Sequence, residues 1–232
     1  ERKMFEELEK TLRFNFKNKD LLKTAFIHRS YLNEHPEEKL SHNERLEFLG
    51  DSVLGFIVSE HLYQKYPNHP EGDLTNFRSS LVNAKTLSEI SRNLDLGKYL
   101  LLSKGEEATG GRDRQYILAN TFESFLGAMY LDSGIEPARE LVSRELLPAL
   151  ENIISNKLYK DFKSGFQELA QEKRNITPVY KVLSEEGPDH NRTFTVGVFL
   201  NDEEIAQGSG KSKQLAEQEA ASSAIAKLSK IG

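Results

Sequence analysis

Hydrophobic and polar positions follow two regimes along the chain, and the change falls near residue 155. Before it, apolar residues recur at helical spacing over 5–12, 19–25, 44–66, 74–83, 84–94, 115–131 and 137–154, with polar connectors such as Pro67-Asn-His-Pro-Glu-Gly72 between them. Asp73 and Asn83 stand where helix N-caps are expected. Strand-like alternation is nearly absent before residue 175. After a polar stretch at 155–161, a helix is predicted over 162–173, alternating runs follow at 179–184 and 193–200, and a short third strand at 204–208 precedes an alanine-rich helix over 211–231. Phe194, Val196, Val198 and Leu200 alternate, so they belong on one face of their strand. The pattern predicts two domains: an all-α domain over 1–155, a linker at 156–160, and an α+β domain of order α-β-β-β-α over 161–232.

Two of the predicted helices are apolar on most sides. Over 46–62, Leu46, Phe48, Leu49, Val53, Leu54, Phe56, Ile57, Val58 and Leu62 wrap round the helix as at the centre of a bundle, and 116–132 reads the same way. Acidic residues interrupt both. Glu47 and Asp51 are four apart and share a face, with Glu44 one turn earlier; Asn120 and Glu123, three apart, share a face of the second helix. Unpaired carboxylates are costly among apolar neighbours. Either they pair with Arg45, Arg78 or Lys85 as buried salt bridges, or the two helices face each other and gather hard oxygen ligands. Such a set suits magnesium or manganese and argues against zinc. The six histidines form no His-Glu-x-x-His pattern, and no Ser/His/Asp or Cys/His set recommends a covalent nucleophile.

Composition changes this picture little. Of 232 residues 38% are hydrophobic and 29% charged, no apolar run reaches membrane-spanning length, and no secretory leader is visible. The absence of cysteine excludes disulfides and thiolate chemistry and fits a reducing cytoplasm. A net charge of −5 weighs against nucleic acid on the crude rule, but acids gathered at a metal site can mask a local basic stripe. The loop Lys104-Gly-Glu-Glu-Ala-Thr-Gly-Gly-Arg-Asp-Arg114 is either a phosphate contact or a plain solvent loop.

Three places in the tail suit a duplex. Ser164, Gln167, Glu168 and Gln171 share a helix face with hydroxyl and amide groups fitted to ribose hydroxyls and base edges in a shallow minor groove. His190 projects from the loop Glu186-Gly-Pro-Asp-His190. Gly208-Ser-Gly-Lys-Ser-Lys213 is expected to open the last helix, which puts Lys211, Ser212 and Lys213 beside free backbone N–H groups where phosphates bind. Each alone is weak, since such glutamines usually mark a solvated face and Gly-rich helix starts are common caps; together they point to double-stranded RNA.

These segments resemble bacterial ribonuclease III. Asn43-Glu-Arg-Leu-Glu-Phe-Leu-Gly-Asp51 is similar to that family's signature over its full length, and Glu71-Gly-Asp-Leu74, Lys104-Gly-Glu-Glu107, Thr109-Gly-Gly-Arg112, Ile117-Leu-Ala119 and Phe122-Glu123 follow in the family's order. The tail resembles its double-stranded-RNA-binding domain through Asp161-Phe-Lys, Gly187-Pro-Asp-His-Asn-Arg-Thr-Phe194 and Gly208-Ser-Gly-Lys-Ser-Lys-Gln-Leu-Ala-Glu-Gln-Glu-Ala-Ala221. The resemblance implies a magnesium-dependent endonuclease of double-stranded RNA that processes ribosomal and messenger precursors, acts as a homodimer, and leaves 5′-phosphate and 3′-hydroxyl ends with two-nucleotide 3′ overhangs. It implies that Glu47, Asp51 and Glu123 are catalytic metal ligands for two Mg²⁺ ions, with Mn²⁺ a possible substitute. Glu44 and Glu71 would be secondary acids, and Phe48 would enter a pocket on the partner. Neither a membrane nor a small-molecule substrate is implied.

One position departs from the family, which has a catalytic Asp where this chain has Asn120. Asn keeps one carbonyl oxygen but loses the charge, so metal affinity should suffer while RNA binding survives. An introduced change, a natural variant that still cleaves, and a binding-only protein all fit. The alternative function is therefore a double-stranded-RNA-binding protein that does not cut.

Overall fold

The computed structural model describes residues 2–155, 161–188 and 192–228, and these form two compact units divided after residue 159. In the first, the described elements are helices: α1 (Arg2–Leu12), α2 (Lys19–Ala25), α3 (Arg29–Glu34), α4 (Glu44–Lys65), α5 (Glu71–Leu81), α6 (Ala84–Asn93), α7 (Lys104–Ala108), α8 (Gln115–Ser133), α9 (Ile135–Glu145) and α10 (Ala149–Ser155). The core gathers Leu8, Phe26, Leu54, Phe77, Phe122 and Phe125 from four of them and from the turn after α2. α4 and α8 run through its middle.

Several elements differ from the reading of the sequence, each for a local reason. The helix at 74–83 begins three residues earlier, behind Pro70, so Asp73 lies in its first turn and is not its N-cap. Asn83 does cap α6, its side chain accepting from the Thr86 N–H at 3.0 Å. The segment 137–154 is not one helix: Pro137 is tolerated in the first turn of α9, but Pro148, lacking an N–H, falls where the chain breaks before α10. α3 was not read from the sequence; His28 caps it, its imidazole Nδ1 accepting from the Ser30 N–H at 3.3 Å. α4 is also not enclosed on all sides. Phe48, Phe56 and Tyr63 are 78%, 55% and 75% exposed and form a stripe along one face.

The second unit contains α11 (Phe162–Arg174), β1 (Val179–Glu186), β2 (Thr193–Leu200), β3 (Glu203–Gly210) and α12 (Lys213–Leu228), the expected α-β-β-β-α order. The strands pair antiparallel as β1-β2-β3, with a register shift in β1 between Val182 and Ser184. Val196, Val198 and Leu200 are buried as their alternation requires. Phe166 and Ala170 of α11 and Ala220, Ala221 and Ala224 of α12 pack with Val198, Leu200 and Ile205 in one core. The alanines of α12 are small enough to bring that helix close to the sheet, which explains a composition that periodicity alone could not. α12 starts two residues later than expected, after β3 has run on to Gly210.

Candidate active site and nucleic-acid interface

The geometry of the acidic site follows from two glycines. A Cβ built on Gly50 of α4 would lie 1.7 Å from the Glu123 carbonyl oxygen, and one on Gly127 of α8 would lie 2.3 Å from that of Leu46. Each helix thus offers its barest point to the other's backbone, and no larger side chain fits either place. Glu47 and Asp51 flank Gly50 in sequence and Glu123 lies one turn before Gly127, so the close crossing brings the three acids together. Asn43 anchors the start of α4. It is buried, and its Nδ2 donates to the Ala25 carbonyl at 3.2 Å and to Ser124 Oγ at 3.5 Å, while Ser124 Oγ donates to the same carbonyl at 2.7 Å.

The carboxyls feel one another's charge. Burial, then the charges of Asp51 and Glu47, pushes the Glu123 carboxyl up to about 7. Burial, with the Glu44 and Asp51 charges, also raises Glu47, and a hydrogen bond from Asn120 partly offsets this. Among the described residues no Lys, Arg or His forms an ion pair with Glu47, Asp51 or Glu123. The salt-bridge alternative fails: Arg78 instead donates to Ser59 Oγ at 2.7 Å. Glu44 is exposed, with Arg29 and His42 each 3.8 Å from its carboxylate. Glu71 does not join the group; it accepts from Thr75 Oγ1 at 2.8 Å and lines a separate apolar cleft with Phe56, Tyr63 and Leu74.

Three mutually repelling carboxylates and a carbonyl-bearing amide, all oxygen donors without a counter-cation, suit a hard divalent ion. Among the described residues no three His, Cys, Asp or Glu side chains gather tightly enough to enclose an ion by themselves. That is ordinary for magnesium, which keeps several waters and takes one or two carboxylates together with substrate phosphate.

Beside the acids lies an open cleft of about 390 Å³ lined by His28, Arg29, Asn33, Glu44, Glu47, Tyr116 and Asn120 among others. Most of its non-acidic lining was missed from the sequence, because short α3 has no apolar periodicity to mark it. Burial holds the His28 imidazole below its usual range. The loop 104–114 ties its half-buried arginines to nearby backbone and to its own acids. Arg112 donates to the carbonyls of Gly97 and Leu100 at 3.0 and 2.8 Å, and Arg114 pairs with Glu106.

In the second unit Ser164, Gln167, Glu168 and Gln171 are all exposed on α11. Asp161 caps that helix, accepting from the Ser164 N–H at 3.1 Å and from Ser164 Oγ at 2.6 Å. Lys211 and Lys213 are exposed; Lys211 Nζ donates to Thr193 Oγ1 at 3.2 Å and Lys213 Nζ lies 3.1 Å from Glu185. Ser212 Oγ accepts from the Leu215 N–H at 3.2 Å, so it serves as a cap. His190 lies outside the described residues, as does the linker at 156–160.

A ribonuclease-III-like family model matches residues 18–150, and a double-stranded RNA binding motif matches 162–228. The chain belongs to the ribonuclease III family. Ribonuclease 3 of Streptococcus equi subsp. zooepidemicus is 46% identical over 97% of each chain, and that of Carboxydothermus hydrogenoformans is 48% identical over 94% of this chain and 93% of its own. The solved nuclease domain of ribonuclease III from Campylobacter jejuni, described for flexibility in its region involved in dimer formation, is 41% identical with a TM-score of 0.56, covering 60% of this chain and 93% of its own. Ribonuclease III membership makes the helical unit the nuclease domain and the α-β-β-β-α unit the double-stranded-RNA-binding domain, so the family's function is endonucleolytic. No described helix is long and apolar enough to cross a membrane.

Proposed function

We propose that this chain hydrolyses double-stranded RNA with divalent cations held by Glu47, Asp51 and Glu123, leaving 5′-phosphate and 3′-hydroxyl ends with two-nucleotide 3′ overhangs. The observation that carries this reading is the trio of uncompensated carboxylates on α4 and α8, crowded enough to push Glu123 up to about 7. Magnesium is the expected ion, two per site, with manganese as substitute; when bound it would supply an activated attacking water and neutralise charge on the leaving 3′-oxygen. Glu47 and Glu123 hold the charge that attracts the ions, Asp51 at the exposed edge completes it, and Glu44 holds Arg29 near the cleft. Glu71 is a more distant acid. The tail grips the duplex through the α11 face, Lys211, Ser212, Lys213 and His190.

A homodimer is part of this reading. The exposed stripe of Phe48, Phe56 and Tyr63 is apolar surface that a second copy would cover. A two-fold interface is self-complementary, and the apolar cleft of about 400 Å³ beside Phe56 and Tyr63 offers Phe48 of that copy a receptor.

Asn120 keeps a second reading alive, a duplex binder that does not cut. Its neutral amide spends a hydrogen bond on Glu47 where a carboxylate would add charge to the site. Cleavage of a labelled duplex in Mg²⁺ and in Mn²⁺ by the parent and by Asn120→Asp decides between them. We expect scission by Asn120→Asp, faster than by the parent; no scission by either sinks the nuclease reading.

A further inference from the structure

The cleft beside the acids contains a tyrosine that metal-ion chemistry does not use. Tyr116 is 51% exposed near the start of α8 and lines the cleft with Arg29, Glu47 and Asn120. It stands one helical turn before Asn120, so both point from the same face of the helix. Its ring is not part of either core, yet it is held. The Arg114 guanidinium lies 5.8 Å from the ring centroid, and Arg114 Nη1 donates to the Tyr116 hydroxyl oxygen at 3.3 Å. Arg114 is itself fixed by the Thr109 carbonyl at 3.1 Å, by Thr109 Oγ1 at 3.0 Å and by Glu106.

This arrangement leaves the tyrosine with one thing to give. Its oxygen accepts from a cation, which polarises the O–H bond, and its proton has no acceptor within the chain among the described residues. Beside a scissile phosphate, the group that distinguishes RNA from DNA is the ribose 2′-hydroxyl, an acceptor as well as a donor. A base edge is a poorer candidate, because it lies deeper in the minor groove than the sugar next to that phosphate.

We propose that Tyr116 is a positioning residue that reads the sugar: its hydroxyl donates to the 2′-hydroxyl of a nucleotide flanking the scissile phosphate. Cleavage, and not only duplex binding by the tail, then selects for ribose. The inference rests on the nuclease reading of the acidic site. It assigns Tyr116 no proton transfer to the reacting atoms, so losing its hydroxyl should slow turnover without abolishing it.

The test is a cycle between protein and substrate, run in the parent and in its Asn120→Asp form. Tyr116→Phe removes only the hydroxyl and keeps the ring. Duplexes carry a single 2′-deoxy substitution moved through the nucleotides on either side of the cut. We expect Tyr116→Phe to cut the all-ribose duplex about five-fold more slowly at saturating enzyme, with duplex affinity unchanged, as for loss of one hydrogen bond worth about 1 kcal/mol. One 2′-deoxy position should slow the enzyme with Tyr116 by a similar factor and leave Tyr116→Phe unaffected. The proposal is overturned if Tyr116→Phe cuts normally, or if it is slowed but stays equally sensitive to every 2′-deoxy position. Scission with such additive effects rejects the sugar-reading role alone. Absence of scission from both forms in Mg²⁺ and Mn²⁺ rejects the nuclease reading, and this role with it.

Discussion

Glu123→Gln tests the crowding of the acids without relying on catalysis. In the folded chain the Glu123 carboxyl is pushed from 4.5 to about 7, first by burial and then by Asp51 and Glu47. Below about pH 4.5 the group is protonated whether the chain is folded or not. Between 4.5 and 7 the unfolded chain releases that proton while the folded chain keeps it. The stability this carboxyl contributes is therefore present at low pH and is lost as pH rises to about 7. At about 1.4 kcal/mol per pH unit the ceiling is about 3.5 kcal/mol. Part of the group faces solvent and is screened, which brings the expected cost of ionising it to about 1–2 kcal/mol. Gln keeps the shape and removes the charge. In metal-free buffer at pH 8, Glu123→Gln should raise the melting temperature of the nuclease domain by about 3–6 °C, and at pH 4.5 it should change little. Mg²⁺ should then raise the parent's melting temperature at pH 8 more than the variant's. Equal melting of the two proteins at both pH values would refute the claim that burial and the neighbouring carboxylates penalise the charge of Glu123.

Other expectations follow from separate parts of the molecule. Gly50→Ala should destabilise the nuclease domain by about 3 kcal/mol or more, because its Cβ would meet the Glu123 carbonyl at 1.7 Å; a melting temperature within 2 °C of the parent would show that the helices yield easily. Phe48→Ala should shift sedimentation toward monomer, and an unchanged dimer would place the interface elsewhere. Lys211→Ala should weaken all duplexes alike and lower the slope of log affinity against log salt by about 1. An unchanged slope would mean that Lys211 meets no phosphate.

What the sequence made legible was whatever rests on local periodicity or on a conflict with it. α4, α8 and β2 were readable because apolar residues repeat there, and Glu47, Asp51, Asn120 and Glu123 stood out because they break that repeat. Gly50 and Gly127 hold the helices together, yet nothing in a single sequence separates a packing glycine from a flexible one. α3 was invisible because Tyr31 and Leu32 are too few to set a period, and with it went most of the cleft lining. Phe48 and Phe56 counted among the apolar positions wrapping α4, because hydrophobicity does not distinguish an interior face from one left uncovered in a single chain, and only the resemblance set Phe48 at an interface. Glu71 was grouped with the acids through resemblance, whereas the fold of one chain places it in another cleft.

The central claim is that carboxylates from α4 and α8 hold divalent ions against the scissile bond. Electron paramagnetic resonance of Mn²⁺ titrated into the chain bound to a duplex with a non-hydrolysable linkage at the cut measures this most directly. Bound Mn²⁺ should be present in the parent, tighter in Asn120→Asp, and reduced at least ten-fold in affinity in Glu123→Gln with duplex affinity preserved. Equal Mn²⁺ binding by the parent and Glu123→Gln would contradict the account.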